Sequence, residues 1–149
     1  MIDKTASIIE TLGEIDETIS AIVLAMAHMD SYPDQLEKCI YDLHDISAYI
    51  ADYIGHISLH KQIREMEDFI YMKEVVDFTY PINHKAGAFL NMARSVARRA
   101  ERALLRHLEF ETYALNPIID DDRNTEGVLK YMNRLSDYLF ALSVDVRGL

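Results

Sequence analysis

The sequence predicts an all-α protein, an up-and-down bundle of long helices, and three observations carry that expectation. Apolar residues recur every three or four positions along most of the 149-residue chain, which is the helical period. Glycine and proline are scarce, at five and three residues, so few breaks interrupt the pattern. Alternating Val/Thr-rich runs, the mark of half-buried strands, are rare.

Taken in order, Ile8, Leu12, Ile15, Ile19, Ile22/Val23 and Met26 predict a first helix over 4–29. Leu36, Ile40, Leu43, Ile46, Ile50, Ile54 and Ile57 predict a second over 34–59. A shorter third segment within 61–76 carries Ile63, Met66, Phe69/Ile70 and Val75. The fourth covers 84–112, with Phe89/Leu90, Ala93, Val96/Ala97, Ala100, Leu104 and Leu108 on its apolar face. The fifth covers 125–146 through Val128/Leu129, Met132, Leu135, Leu139, Leu142 and Val146, with Asn124 as its expected N-cap. Pro33, Pro81 and Pro117 fall between segments, where turns are expected. The four long helices would each extend roughly 33–44 Å at about 1.5 Å per residue and pack side by side. No repeat, low-complexity tract or linker divides the chain, so one domain over 1–149 is expected.

The charge narrows the function classes. A formal net charge of −10 and a pI near 4.9 argue against a nucleic-acid surface, which needs a broad basic face. The single cysteine, Cys39, permits no intrachain disulfide and fits a reducing, cytoplasmic setting. The opening "MIDKTASIIE" lacks the build of a signal peptide. The longest apolar run, "AIVLAMA", is far too short for a membrane span.

Against that acidic background, "ARSVARRAER" (93–102) stands out. Five of the nine arginines lie between 94 and 106. On a helix, Arg94, Arg98 and Glu101 share one face, with Arg99, Arg102 and Arg106 on the next. A solvated face whose arginines pair with carboxylates, Glu101 among them, is the ordinary reading of such a run. The exclusive use of arginine points instead to recognition of phosphate or carboxylate by its planar fork. Ala93, Ala97 and Ala100 would leave the backbone approachable beside these charges. A second polar insertion, "YMNRLSDYLF" (131–140), sets Asn133 and Asp137 one turn apart on an apolar helix. They read either as a polar stripe at the bundle edge or as groups facing the arginines across a cleft.

Together, "DFTYPINHKAGAFLNMARSVARRAER" and "YMNRLSDYLF", with "ETLGEIDETIS" (10–20) upstream, resemble the PduO-type ATP:cob(I)alamin adenosyltransferases over about residues 8–142. The family's hallmarks are an aromatic-led F-x-x-P-G-G segment, then H-x-A-R-x-x-x-R-R-A-E-R, then N-R-L-S-D-Y-L-F. The resemblance implies a five-helix bundle assembled as a homotrimer with sites between subunits. It implies cobalamin and ATP as small-molecule ligands, with Mg²⁺. The implied reaction is attack of Co(I) on C5′ of ATP with release of triphosphate. A reductase or an adenosylcobalamin-dependent enzyme would be a fitting protein partner. By motif, Phe78 would match the aromatic that covers the lower corrin face and keeps cobalt four-coordinate. Asp16 and Arg94 would match a pair bridging two subunits beside the corrin. Arg98, Glu101 and Asn133 would surround the nucleotide, Arg98 neutralising the departing triphosphate, while Asp137 orders the arginines.

The chain also departs from that pattern. Family members begin with a T-x-x-G-D-x-G-x-T segment that cradles phosphates, whereas Gly13 is the only glycine before residue 55 here, so no such loop is expected. The P-G-G turn is Pro81-Ile82-Asn83, and the motif histidine is Asn91. The corrin-side residues Asp16, Phe78 and Arg94 survive better than the nucleotide side. Three functions therefore stay open: adenosyl transfer, non-catalytic binding or delivery of a corrinoid or other tetrapyrrole, and an interaction scaffold. Outside the motifs, His56 and His60 have a spacing that can share a metal on a helix, but no third ligand is evident, and no metal site is expected. Cys39 reads as a small buried residue. The run Asp120-Asp121-Asp122 reads as a solvated loop with weak Mg²⁺ potential.

Overall fold

The computed structural model describes the backbone of residues 4–74, 77–114 and 122–149, and the side chains of 5–74, 77–108 and 124–149. Among these residues there are five α-helices and no strand: α1 (Lys4–Met26), α2 (Pro33–Ile50), α3 (His60–Lys73), α4 (Lys85–Ala114) and α5 (Asp122–Val146). The all-α expectation holds. In the bundle α1 lies between α2 and α4, and α5 lies between α4 and α3. The core is built from Ile15 and Ile22 of α1, Leu36, Leu43 and Ile46 of α2, Leu90 and Leu104 of α4, and Tyr131, Met132, Leu135, Leu139 and Leu142 of α5. Each such side chain stabilises the bundle by about 1.5–3 kcal/mol on burial. No helix among the described residues is long and apolar enough to cross a membrane.

Ala93, Ala97 and Ala100 are fully buried, which corrects the expectation that they leave backbone open beside the arginines. Their small side chains let α1 and α5 close on α4, so the space is filled by neighbouring helices. Polar ties cross the same contact. Arg99 Nε donates to Glu14 at 2.6 Å and its Nη2 meets Glu17 at 2.5 Å. Arg106 meets Glu10 at 3.1 Å, and Ser7 Oγ shares a 2.9 Å hydrogen bond with His107 Nδ1.

Helix α2 ends at Ile50, nine residues short of the expected boundary at 59. Asp52 takes a left-handed φ of 63°. Its N–H donates to Tyr49 O at 3.1 Å, and the N–H of Tyr53 donates to Ala48 O at 2.9 Å. That pair of bonds is a Schellman stop, with aspartate in the place glycine commonly takes. Ile54 and Ile57 consequently lie in the connector and not on a helix.

At the start of α5, Asn124 is not the cap. The helix begins at Asp122, and Asn124 is buried in its first turn, where Oδ1 accepts the Ile57 N–H at 3.0 Å. The side chain satisfies a backbone N–H of the connector. Pro33 occupies the first turn of α2, where its missing N–H costs nothing. Pro117, Val75 and the Asp120-Asp121 pair lie outside the described residues.

Candidate functional site

Three elements converge at one end of the α4–α5 contact: α4 carrying Arg94 and Arg98, α5 carrying Asp137 and Phe140, and the connector at 77–84 carrying Phe78 and Tyr80. Phe78 stacks on Phe140 with ring centroids 4.9 Å apart and planes 21° apart, and meets the edge of Tyr80 at 4.8 Å. The Arg94 guanidinium carbon sits 4.8 Å from the Phe78 ring centroid, in cation–π range. Phe78 remains 45% exposed and Tyr80 71% exposed, so the aromatic cluster presents one face outward. A phenylalanine packed in the core would not do this.

Arg94 is aimed by its own helix. Its Nε donates to Asn91 Oδ1 at 2.9 Å and its Nη2 to Ser95 Oγ at 3.4 Å. Asn91, at the position of the family's histidine, thus acts as an acceptor that orients the guanidinium. Burial, then the charge of Arg98, lowers the proton affinity of Arg94, while Tyr80 and Asp137 act in the opposite sense. Arg98, one turn on, is exposed, with no hydrogen bond or ion pair to a described residue. An arginine pair with like charges in proximity, one stacked and one free, is suited to an anion.

The connector is held by contacts that sequence reasoning missed. Arg147, just past α5, donates from Nη2 to Thr79 Oγ1 at 3.0 Å and from Nη1 to Tyr80 O at 3.4 Å, and its Nε donates to Ser143 O at 3.0 Å. Asn83 takes a left-handed φ of 65°, a conformation asparagine tolerates unusually well, so the turn survives the loss of its glycines. His84 Nδ1 accepts the Gly87 N–H at 3.0 Å and caps α4. A methyl on Gly87 would stand 3.0 Å from Pro81 Cβ, 3.1 Å from His84 Nδ1 and 3.3 Å from Arg147 Cδ. The proline ring is rigid and the histidine is committed to the cap, so neither can give way easily. Gly87→Ala is expected to destabilise the protein by about 1–2 kcal/mol, overpacking outweighing the gain in helix propensity. Urea denaturation checks this, and an unchanged midpoint would contradict the tight approach.

The remaining expected residues divide. Asp137 is exposed on α5 and acts on Arg94 electrostatically, raising its proton affinity. Asn133 is exposed on α5 with its amide oxygen accepting from Arg134 at 2.8 Å. Glu101 makes no ion pair with Arg94 or Arg98 among the described residues, contrary to the solvated-face reading. That reading does describe Arg99 and Arg106, whose partners come from α1 and not from their own helix. Asp16 is exposed on α1, and within the chain it does not meet Arg94. The signal for Phe140 was present in "NRLSDYLF", three residues after Asp137. Arg147 carried none, because its role depends on where the connector passes.

His56 and His60 do not share a helix face, because α2 stops at Ile50 and α3 begins at His60. Both line a cavity of about 820 Å³ between α3 and the start of α5. Neither Phe78 nor Arg94 borders it, so this cavity is separate from the arginine–aromatic site. No group of three or more metal-binding side chains converges among the described residues.

Comparison with known proteins gives a consistent set of matches. The cobalamin adenosyltransferase family model matches residues 1–146. The chain is 30% identical over 154 residues to the corrinoid adenosyltransferase of Bacillus subtilis (strain 168), covering 93% of this chain and 74% of that protein. It is 28% identical to the corrinoid adenosyltransferase of Bos taurus, covering 94% of this chain but only 61% of the relative. It is 30% identical to that of Mycobacterium tuberculosis, with 94% and 76% covered.

Proposed function

Because the chain belongs to the cobalamin adenosyltransferase family, we propose that it transfers the 5′-deoxyadenosyl group of ATP to a corrinoid in its Co(I) form. The cobalt supplies an electron pair to C5′, the C5′–O bond breaks, and triphosphate leaves. The observation that carries the reading is the 45% exposed Phe78 ring, stacked on Phe140 with the Arg94 guanidinium carbon 4.8 Å from its centroid.

In this reading Phe78 and Phe140 form a dry apolar wall against the lower corrin face. Excluding an axial donor and water there favours the reduced, four-coordinate metal. Arg98, with no partner among the described residues, neutralises the charge that develops on triphosphate. Glu101 and Asn133 border the nucleotide, Asp137 keeps the arginines aligned, and Mg²⁺ screens the phosphates. Asp16 meets Arg94 of a neighbouring subunit in a homotrimer. The α1 face bearing Asp16 supports that assembly: Ile9 and Val23, seven residues to either side, are 65% and 49% exposed, an apolar stripe uncovered in the single chain.

The test is product formation from reduced cobalamin, ATP and Mg²⁺, with a parallel corrinoid titration lacking ATP. Adenosylcobalamin in the first arm is the expected result. No product at high protein concentration overturns the proposal. An ATP-independent change in the corrinoid spectrum without product would favour the binding-and-delivery reading.

A further inference from the structure

The two residues that follow Phe78 are tied to the bundle by one side chain. Residues 78–81 form no helix or strand. Among the described residues, the hydrogen bonds that join 78–80 to another element all come from Arg147. Arg147 lies one position past α5, and its Nε donates to Ser143 O at 3.0 Å, satisfying one of the last carbonyls of the helix. With Nε held on α5, the outer nitrogens meet the connector: Nη2 donates to Thr79 Oγ1 at 3.0 Å and Nη1 to Tyr80 O at 3.4 Å. Tyr80 O also accepts the Ile82 N–H at 2.9 Å, so the arginine engages the connector's own turn. Its stem is packed as well, with Cδ 3.3 Å from where a Cβ on Gly87 would stand. Capping α5 needs neither the bonds to Thr79 and Tyr80 nor the approach to Gly87.

Burial does not hold Phe78 in place. Its ring is 45% exposed, and the neighbouring Tyr80 is 71% exposed and cannot anchor it. An apolar wall that excludes an axial donor has to be set before the ligand arrives, because ordering it at that moment costs affinity. We propose that Arg147 is a positioning residue for adenosyl transfer: by clamping Thr79 and Tyr80 to the end of α5, it holds the Phe78 ring against Phe140, where the ring displaces the lower axial base of the corrinoid. This role rests on the function proposed above and deepens it with a residue outside the arginine stretch. Arg147 acts through Thr79 and Tyr80 and takes no part in bond making. Lysine would be a poor substitute, since one ammonium on a flexible stem cannot present three N–H groups in fixed directions.

The experiment uses the full chain with ATP, Mg²⁺ and either of two Co(II) corrinoids: cobalamin, which carries a tethered lower base, and cobinamide, which lacks it. Electron paramagnetic resonance reports the base, because a coordinated nitrogen splits the Co(II) signal. A one-electron reductant then starts turnover. In the parent protein the nitrogen splitting should vanish on binding, and adenosylcobalamin should form. Arg147→Ala should keep the splitting in much of the bound cobalamin and adenosylate it about tenfold more slowly, the scale of an ordinary hydrogen bond or two. Its rate with cobinamide should fall by no more than about threefold, because no base has to be displaced. Thr79→Val leaves Arg147 in place and changes an exposed side chain, so it should fold and show the same pattern at about threefold, while Thr79→Ser should match the parent. In the ligand-free protein, amide hydrogen exchange at 77–84 should quicken in Arg147→Ala and stay unchanged in α1. An equal loss with both corrinoids, or unchanged exchange at 77–84, would overturn the role of Arg147 even with an active parent. A parent that keeps the nitrogen splitting and yields no adenosyl product would overturn the proposed function, and this role with it.

Discussion

Arg94→Ala should reduce corrinoid adenosylation by about 100-fold or more, the scale seen when one preorganised charge-stabilising donor is removed from an active site. The guanidinium lies over Phe78 and is aimed by Asn91 and Ser95, so alanine removes both a charge and the cover of the aromatic ring. Lysine should restore little, because an ammonium cannot reproduce the planar stack and the fork at once. The fold should survive: the residue is half-buried, its polar partners lie on its own helix, and the expected stability loss is about 1 kcal/mol or less. Steady-state assays with reduced corrinoid and ATP, alongside thermal melts, separate the two effects. Activity within a few-fold of the parent would show that Arg94 is structural only.

The largest expected effect on stability comes from Asp145→Ala. Asp145, on the last turn of α5, accepts from Tyr32 Oη and from Lys73 Nζ, the latter at 2.6 Å. Both ionic side chains are less than a third exposed, at 17% and 30%. The Asp145 carboxylate thus ties the end of α3 and the entry to α2 to the end of α5, and Lys73 also donates to Leu149 O at 3.2 Å. Charge-assisted bonds of this kind contribute about 1.5–3 kcal/mol each, and removing the acceptor leaves a half-buried ammonium and phenol without their partner. A net loss of about 2–4 kcal/mol is expected, equivalent to a fall in melting temperature of roughly 5–15 °C for a chain of this size. Asp145→Asn should recover part of it by keeping an acceptor. A melt shifted by less than about 2 °C in the alanine variant would show that the three elements are joined by packing alone.

Legibility from sequence varied by the kind of contact involved. The helical period placed α3, α4 and the body of α5 well, because an amphipathic face repeats locally along the chain. It overran the end of α2, since Ile54 and Ile57 kept the period while Asp52 adopted the left-handed stop. Periodicity does not carry that information when aspartate replaces the usual glycine. Asn124 was misplaced for a related reason. Its type suits a cap, but its actual partner, the Ile57 N–H, is 67 residues away in the chain.

The arginine stretch shows the same division within a few residues. Composition and spacing singled out Arg94 and Arg98, and motif resemblance named Phe78 as their companion. Separation of the stretch into paired and available guanidiniums depended on α1, whose Glu10, Glu14 and Glu17 take Arg106 and Arg99 and leave Arg98 exposed.

The amino-acid pattern by itself determined the helical class, the family and the residue types of the arginine–aromatic site, because periodicity and short motifs are local properties of a chain. Only the tertiary structure decided that Phe140 and Arg147 support the segment bearing Phe78, and that the three alanines are buried under neighbouring helices. Those outcomes depend on which helices pack together and at what register, and such long-range contacts leave no periodic trace in the residues that make them.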